Sequence, residues 1–227
     1  MSYPFLLEFY IVYNKISTSM YSIIVIRKVY FMLNKTIDYY NTNAKKFVEG
    51  TLNVDFKSTQ DKFIAKLPKA GYILDFGCGS GRDTKYFLAK NFKVDAIDGS
   101  IELCKIASEY TNIKVCHMYF DELTIVNKYD GIWACSSILH LSLDDLVDVF
   151  KRMSKALKDK GIIYTSFKYG DFSGERNGRY FTDMTENSFA KLIANVENLT
   201  VEEQWITADV RPQRGNEKWL NLILRKK

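Results

Sequence analysis

A chain of 227 residues with 47% apolar and 26% charged side chains can bury one good core, which excludes a disordered or fibrous protein. Its net charge of +5 arises from 32 basic and 27 acidic residues interleaved along the chain. With no long basic run, nucleic acid is an allowed partner and not a required one.

Residues 1–31 are rich in Tyr, Ile, Phe, Val and Ser and hold neither glycine nor alanine. Glu8, Lys15, Arg27 and Lys28 break this segment into apolar runs shorter than the ~20 residues of a spanning helix, so no stable membrane insertion is expected. A secretory signal would order a basic start, a compact apolar run and small cleavage residues, an order this segment lacks. From Met32 onward the pattern is that of a helix entry, which predicts a native start at Met32, a single domain over 32–227 and a cytoplasmic protein. Anchoring of the apolar tail at a membrane surface is the alternative.

Tyr39, Tyr40 and Asn43 lie on a helix ahead of the first strand. Short apolar runs then alternate with amphipathic stretches from residue 72, the pattern of βα units and a mostly parallel sheet. Strands are predicted over 72–76, 93–98, 113–119, 129–135, 162–167, 201–208 and 219–225. Helices are predicted over 82–90, 101–110, from the Ser142/Asp145 capping box to Leu157, and over 185–195. The residues Lys158-Asp159-Lys160-Gly161 read as a turn into the fifth strand.

Cys78, Cys104, Cys116 and Cys135 stand far apart without a Cys-x-x-Cys pair, which predicts free thiols. His117 and His140 have no ligand spacing against cysteine or carboxylate, so no metal site is expected.

The loop Asp75-Phe76-Gly77-Cys78-Gly79-Ser80-Gly81 follows the first strand, where glycines let a ligand approach backbone and helix amides. In a dinucleotide fingerprint a third glycine would stand where Arg82 is, which disfavours hydride chemistry. Asp98 ends the second strand about twenty residues beyond the first glycine, placed to accept hydrogen bonds from a ribose.

With Leu74-Asp75-Phe76-Gly77-Cys78-Gly79-Ser80-Gly81, Asp98-Gly99-Ser100 and Tyr129-Asp130-Gly131-Ile132-Trp133-Ala134-Cys135, the chain resembles the class I methyltransferase superfamily over roughly 36–227. More narrowly it resembles small bacterial methyltransferases of the tellurite-resistance type, through Ser166-Phe167-Lys168-Tyr169-Gly170 and the Arg-Pro tail before Trp219. The resemblance implies a three-layer, doubly wound α/β fold with a seven-stranded sheet whose last strand is antiparallel, and S-adenosylmethionine as cofactor. It implies that Asp75, Gly77, Cys78, Gly79 and Gly81 line the methionine end and that Asp98, with Gly99 and Ser100, holds the ribose. Met118 or Phe120 would stack on the adenine, Cys135 would border the site and Tyr40 would belong to a helix folded over the cofactor. Core packing is the competing role for Met118 and Tyr40.

A sulfonium methyl needs an aligned lone pair, and a catalytic base is not obligatory. If the acceptor must lose a proton, His140 is the candidate base; its alternative is to fix the loop by hydrogen bonds. Lys168, Arg176, Arg179, Arg211 and Arg214 are expected on the same rim, with Tyr169, Tyr180 and Phe181 between them, a set suited to an oxyanion or carboxylate. The predicted acceptor is a small anionic molecule, with RNA methylation or non-catalytic cofactor binding as alternatives.

Overall fold

The computed structural model of the chain describes residues 35–211 and 214–227; the N-terminal extension and the start at Met32 lie outside them. Helix α1 spans 35–42, and after a turn at Asn43 the chain continues into α2 (Ala44–Thr51) and α3 (Lys57–Ile64). The βα units follow: β1 (Tyr72–Phe76), α4 (Arg82–Ala89), β2 (Lys93–Asp98), α5 (Ile101–Thr111), β3 (Cys116–His117), β4 (Tyr129–Ala134), α6 (Leu143–Ala156) and β5 (Leu157–Lys168). Strands β6 (Ser173–Arg176) and β7 (Arg179–Thr182) form a separate hairpin before α7 (Glu186–Ile193), β8 (Leu199–Ala208) and β9 (Lys218–Lys226).

Seven strands make one sheet in the order β3-β2-β1-β4-β5-β9-β8. Strands β1 to β5 run parallel, and β9 is antiparallel to both of its neighbours. This is the mostly parallel sheet expected from the alternating pattern, in the doubly wound form that the resemblance implied. Side chains alternate between the two faces of the sheet. Ile73, Trp133, Tyr164 and Ile223 pack with Phe63 of α3 and Phe87 of α4, while Leu74, Phe76, Ile132 and Ile163 pack with Leu146, Phe150 and Met153 of α6 and Phe189 of α7. Ala96 meets Cys104 and Ala107 of α5 on the α3/α4 face.

Three expectations need correction. The third strand covers Cys116–His117 and not 113–119, because at the sheet edge Val115 N–H is taken by the Ser108 hydroxyl at 2.9 Å. The turn at Lys158–Gly161 is absorbed into β5: Leu157 pairs with Tyr129, a bulge follows, and Lys160 takes φ +62° before Ile162 resumes the ladder. The hairpin was not anticipated, although Asn177-Gly178 at φ +53° and +76° forms its turn between the paired Arg176 and Arg179.

The helix ends follow from the sequence. Ser142 caps α6 by accepting from Asp145 N–H, Asp144 and Asp145 sit in its first turn, and Lys155 lies in its last. Ser100 caps α5 by accepting from Leu103 N–H at 3.2 Å. No described helix is long and apolar enough to cross a membrane.

Candidate functional site

At the carboxyl ends of β1, β2, β4 and β5 lies a cavity of about 300 Å³. The glycine loop and Asp98 form one wall, α1 covers it, and the β7 strand and the β8–β9 loop close the far side. Nine of the twelve expected cofactor residues border it: Tyr40, Gly77, Cys78, Gly79, Asp98, Gly99, Met118, Phe120 and Cys135.

The loop is shaped by three positive-φ glycines, Gly77 (+87°), Gly79 (+54°) and Gly81 (+78°), a region that costs any residue with a Cβ. A Cβ at Gly77 would stand 2.5 Å from the Ser137 Cβ, so the tight approach of the loop to the segment after β4 depends on its absence. Gly79 N–H donates to Asp98 Oδ2 at 2.9 Å and Ser100 N–H to Asp98 Oδ1 at 2.8 Å. Each carboxylate oxygen keeps a further lone pair, and the half-buried group borders the cavity. Burial raises the Asp98 pKa, against the lowering effect of the two backbone donors.

The remaining three residues support the site from behind. Asp75 lies one layer below, accepting from the Thr84 hydroxyl, and burial, with the nearby Asp83 carboxylate, raises its pKa well above the usual carboxylate range. Gly81 is where α4 approaches α5: a Cβ there would meet Thr111 Cγ2 at 2.9 Å. The Ser100 hydroxyl donates to Asn41 Oδ1 at 2.7 Å, tying α5 to α1.

Below the loop, Asp83 accepts from Gln60 at 2.6 Å, from Arg82 Nε at 2.7 Å and from the Trp133 indole at 2.8 Å. Arg82 therefore has a structural partner as well as a face on the cavity, with its guanidinium 4.9 Å from the Phe56 ring centre.

Lys168, Arg179, Arg211 and Arg214 all reach the cavity, but their charges are not equivalent. Lys168 is paired with Glu217, and Arg211 with Asp209 through Nε at 2.9 Å. Arg214 Nε lies 3.8 Å from Glu217. Arg179 has no carboxylate partner among the described residues. Its buried Nε has no hydrogen-bond partner among them, its Nη1 donates to the Tyr40 hydroxyl at 3.3 Å, and its guanidinium lies over Tyr39 at 4.4 Å and Phe181 at 5.1 Å. Arg176, expected on the same rim, does not border the cavity and is instead paired with Asp183 at 2.8 Å.

His140 sits between Tyr40 Oη at 2.8 Å and the Tyr180 carbonyl at 2.6 Å. Phe47 and Asn221 are among the cavity residues that were not anticipated. Phe47 of α2 packs edge-on against Tyr40 at 5.2 Å. Asn221 is a buried polar side chain inside an apolar strand, donating to Thr207 at 3.0 Å and accepting from the Tyr164 hydroxyl at 2.7 Å. The four cysteines are free, and no described group of three metal-ligating side chains converges.

Residues 73–161, the span from β1 to the β5 bulge that builds the glycine loop and Asp98, match the methyltransferase domain family. The chain is a class I S-adenosylmethionine-dependent methyltransferase. An uncharacterized methyltransferase of Staphylococcus carnosus (strain TM300) is 27% identical over 162 residues, 67% of this chain and 78% of that protein. The N-terminal Xaa-Pro-Lys N-methyltransferase 1 of Xenopus tropicalis is 38% identical over 147 residues, covering 55% of this chain and 65%, just under two thirds, of the frog protein. Among solved structures, the 1,6-didemethyltoxoflavin-N1-methyltransferase of Burkholderia thailandensis, with bound 1,6-didemethyltoxoflavin and S-adenosylhomocysteine, superposes with a TM-score of 0.67 at 21% identity. The superposition covers 93% of this methyltransferase and 92% of that chain and establishes a common fold. The cofactor is S-adenosylmethionine. The residues present fit it: a glycine cradle without room for a Cβ, a carboxylate with open lone pairs and an aromatic wall at Phe120 border one cavity.

Proposed function

We propose that this methyltransferase acts on a small molecule carrying an anionic group, which Arg179 receives. The carrying observation is that Arg179 alone among the described cations of the cavity lacks a carboxylate, with an unpartnered buried Nε. A guanidinium pairs two N–H donors with a carboxylate or another oxyanion, and the Tyr39 and Phe181 faces hold its plane. An oxyanion acceptor of the tellurite type falls in the same class.

In the cofactor half, Asp98 holds the ribose, Phe120 and Met118 flank the adenine, and the Gly77–Gly79 backbone approaches the methionine end. When bound, S-adenosylmethionine supplies a methyl group on a positively charged sulfur that departs with its electron pair as the acceptor's lone pair forms the new bond. The chain's own work is to align that lone pair and exclude water. Tyr40 and Phe47 shield the site from α1 and α2, and Ser136, Ser166 and Asn221 present a polar floor on the acceptor side.

The test combines labelled S-adenosylmethionine with cell extract split into small-molecule, RNA and peptide pools. Label in the small-molecule pool is expected, retained on an anion exchanger after the product is separated from cofactor. Arg179→Ala is expected to raise the acceptor KM about 10- to 100-fold, as for loss of a charge-assisted pair, with a smaller loss of cofactor affinity because Arg179 also donates to Tyr40. Arg211→Ala has the smaller effect, because Asp209 already occupies that guanidinium. An unchanged acceptor KM in Arg179→Ala refutes the assignment. Transfer to a protein's N-terminal amine is the second reading, favoured by the frog relative at 38% identity, and places label in the peptide pool instead.

A further inference from the structure

Both ring nitrogens of His140 are committed. Its Nδ1 lies 2.6 Å from the Tyr180 carbonyl, which can only accept, so Nδ1 carries the proton. In the neutral ring Nε2 is then a bare lone pair, and the Tyr40 hydroxyl donates to it across 2.8 Å. Burial, opposed by the Tyr180 bond and reinforced by the nearby charges of Arg179 and Arg176, holds the His140 pKa down at about 4. A neutral imidazole of low basicity, its lone pair already engaged, is poorly suited to take a proton from an acceptor. It is well suited to hold a hydroxyl.

The hydroxyl it holds belongs to α1, the helix that covers the cofactor wall, and the carbonyl that fixes its tautomer belongs to β7. Contacts around this pair are dense. Tyr40 Oη also accepts from Arg179 Nη1 at 3.3 Å, and the Tyr40 and His140 rings meet edge-on at 5.5 Å. Phe181 packs beneath His140 at 4.8 Å. A second tie runs in parallel: Tyr180 N–H donates to the hydroxyl of buried Thr36 at 3.1 Å. At the hairpin's outer end, Lys35 and Glu175 approach to 3.0 Å.

We propose that His140 is a positioning residue that latches Tyr40, and with it α1, to the β6–β7 hairpin, so that retention of the cofactor depends on the hairpin that carries Arg179. The inference rests on cofactor binding beneath α1 and is independent of the acceptor's chemical class. His140 neither takes nor gives a proton in this role; it joins two elements 100 and 40 residues away from it in sequence.

The test uses the full chain with S-adenosylhomocysteine and needs no acceptor. Tyr40→Phe removes one hydroxyl, His140→Ala removes the latch, and the double variant closes a thermodynamic cycle. Each single variant is expected to weaken binding about tenfold, chiefly through faster dissociation, the upper range for one neutral hydrogen bond. The double variant should be no weaker than the weaker single. Hydrogen exchange of the 35–42 segment in the complex should lose protection in all three. His140→Gln, which offers an acceptor and a donor, should recover part of the affinity. Additive losses in the double variant, or wild-type affinity and protection in both singles, overturn the latch. Should His140→Ala not fold, Tyr40→Phe decides alone through the same two readings. Wild-type binding under these conditions leaves the donor assignment standing even if the latch fails, and the Arg179 assignment is read separately from acceptor KM.

Discussion

Replacing Asp98 by alanine is expected to abolish useful binding of S-adenosylmethionine, with Kd raised by at least about a hundredfold in calorimetry. Two charge-assisted hydrogen bonds to ribose hydroxyls at ~1.5–3 kcal/mol each correspond to ~10²- to 10⁴-fold. The substitution also releases Gly79 N–H and Ser100 N–H, which the carboxylate holds at 2.9 and 2.8 Å, so the glycine loop and the first turn of α5 lose their common anchor. Asp98→Asn keeps the volume but exchanges one acceptor for a donor, and should fall between alanine and wild type. Gly79→Val reaches the same end by another path: its φ of +54° is strained for valine, and a Cβ there already sits 3.0 Å from the Phe47 ring. Affinity within threefold of wild type in both Asp98→Ala and Gly79→Val would falsify the cofactor-site assignment.

Trp133→Ala carries the largest expected loss of stability. Its indole is fully buried, stacked on Tyr164 at 4.0 Å and enclosed by Phe63 at 5.1 Å and Phe87 at 5.2 Å. Removing an aromatic side chain from such a place leaves a cavity and costs ~3–5 kcal/mol, which lowers Tm by roughly 6–20 °C for a chain of this size. The loss also reaches the site, because Trp133 Nε1 donates to Asp83 in the first turn of α4, directly after the glycine loop. Trp133→Phe should retain more than half of the packing while leaving that Asp83 oxygen with Arg82 Nη2, at 2.9 Å, as its donor. A Tm within a few degrees of wild type in Trp133→Ala would contradict this account of the core.

What could be read in advance was local. Strand β1 is a short apolar run ahead of glycines, and Asp98 stands at a fixed distance from them, so donor chemistry follows from spacing within about twenty-five residues. The cations were legible as positions but not as free or paired charges. Lys168 is neutralised by Glu217 from another element, and Arg211 by Asp209 across a loop bend, whereas nothing in the residue string marks Arg179 as unpaired. Asn177-Gly178 was a hairpin signal open to reading, since two positive-φ residues suit a two-residue turn between strands. Phe47 had no such mark: an aromatic on an amphipathic helix reads as core until the fold brings it over Gly79. Asn221 did carry one, a polar residue at an inward position of the apolar run Leu220 to Leu224. The latch role proposed for His140 depends on two partners that are both far away in sequence.

The β6–β7 hairpin leaves the sheet after Lys168 and returns at Met184, whose N–H donates to the Lys168 carbonyl at 2.9 Å, so its two ends are joined. It pairs with no strand of the main sheet. The two ties from Tyr180 to His140 and Thr36 run through main-chain carbonyl and amide and are indifferent to the side chain that position carries. The backbone share of the docking of residues 170–183 is therefore independent of the side chain at position 180. Changes at Arg179 or Phe181 would reach the cofactor cover as well as the acceptor side, because these two side chains touch Tyr40 and His140.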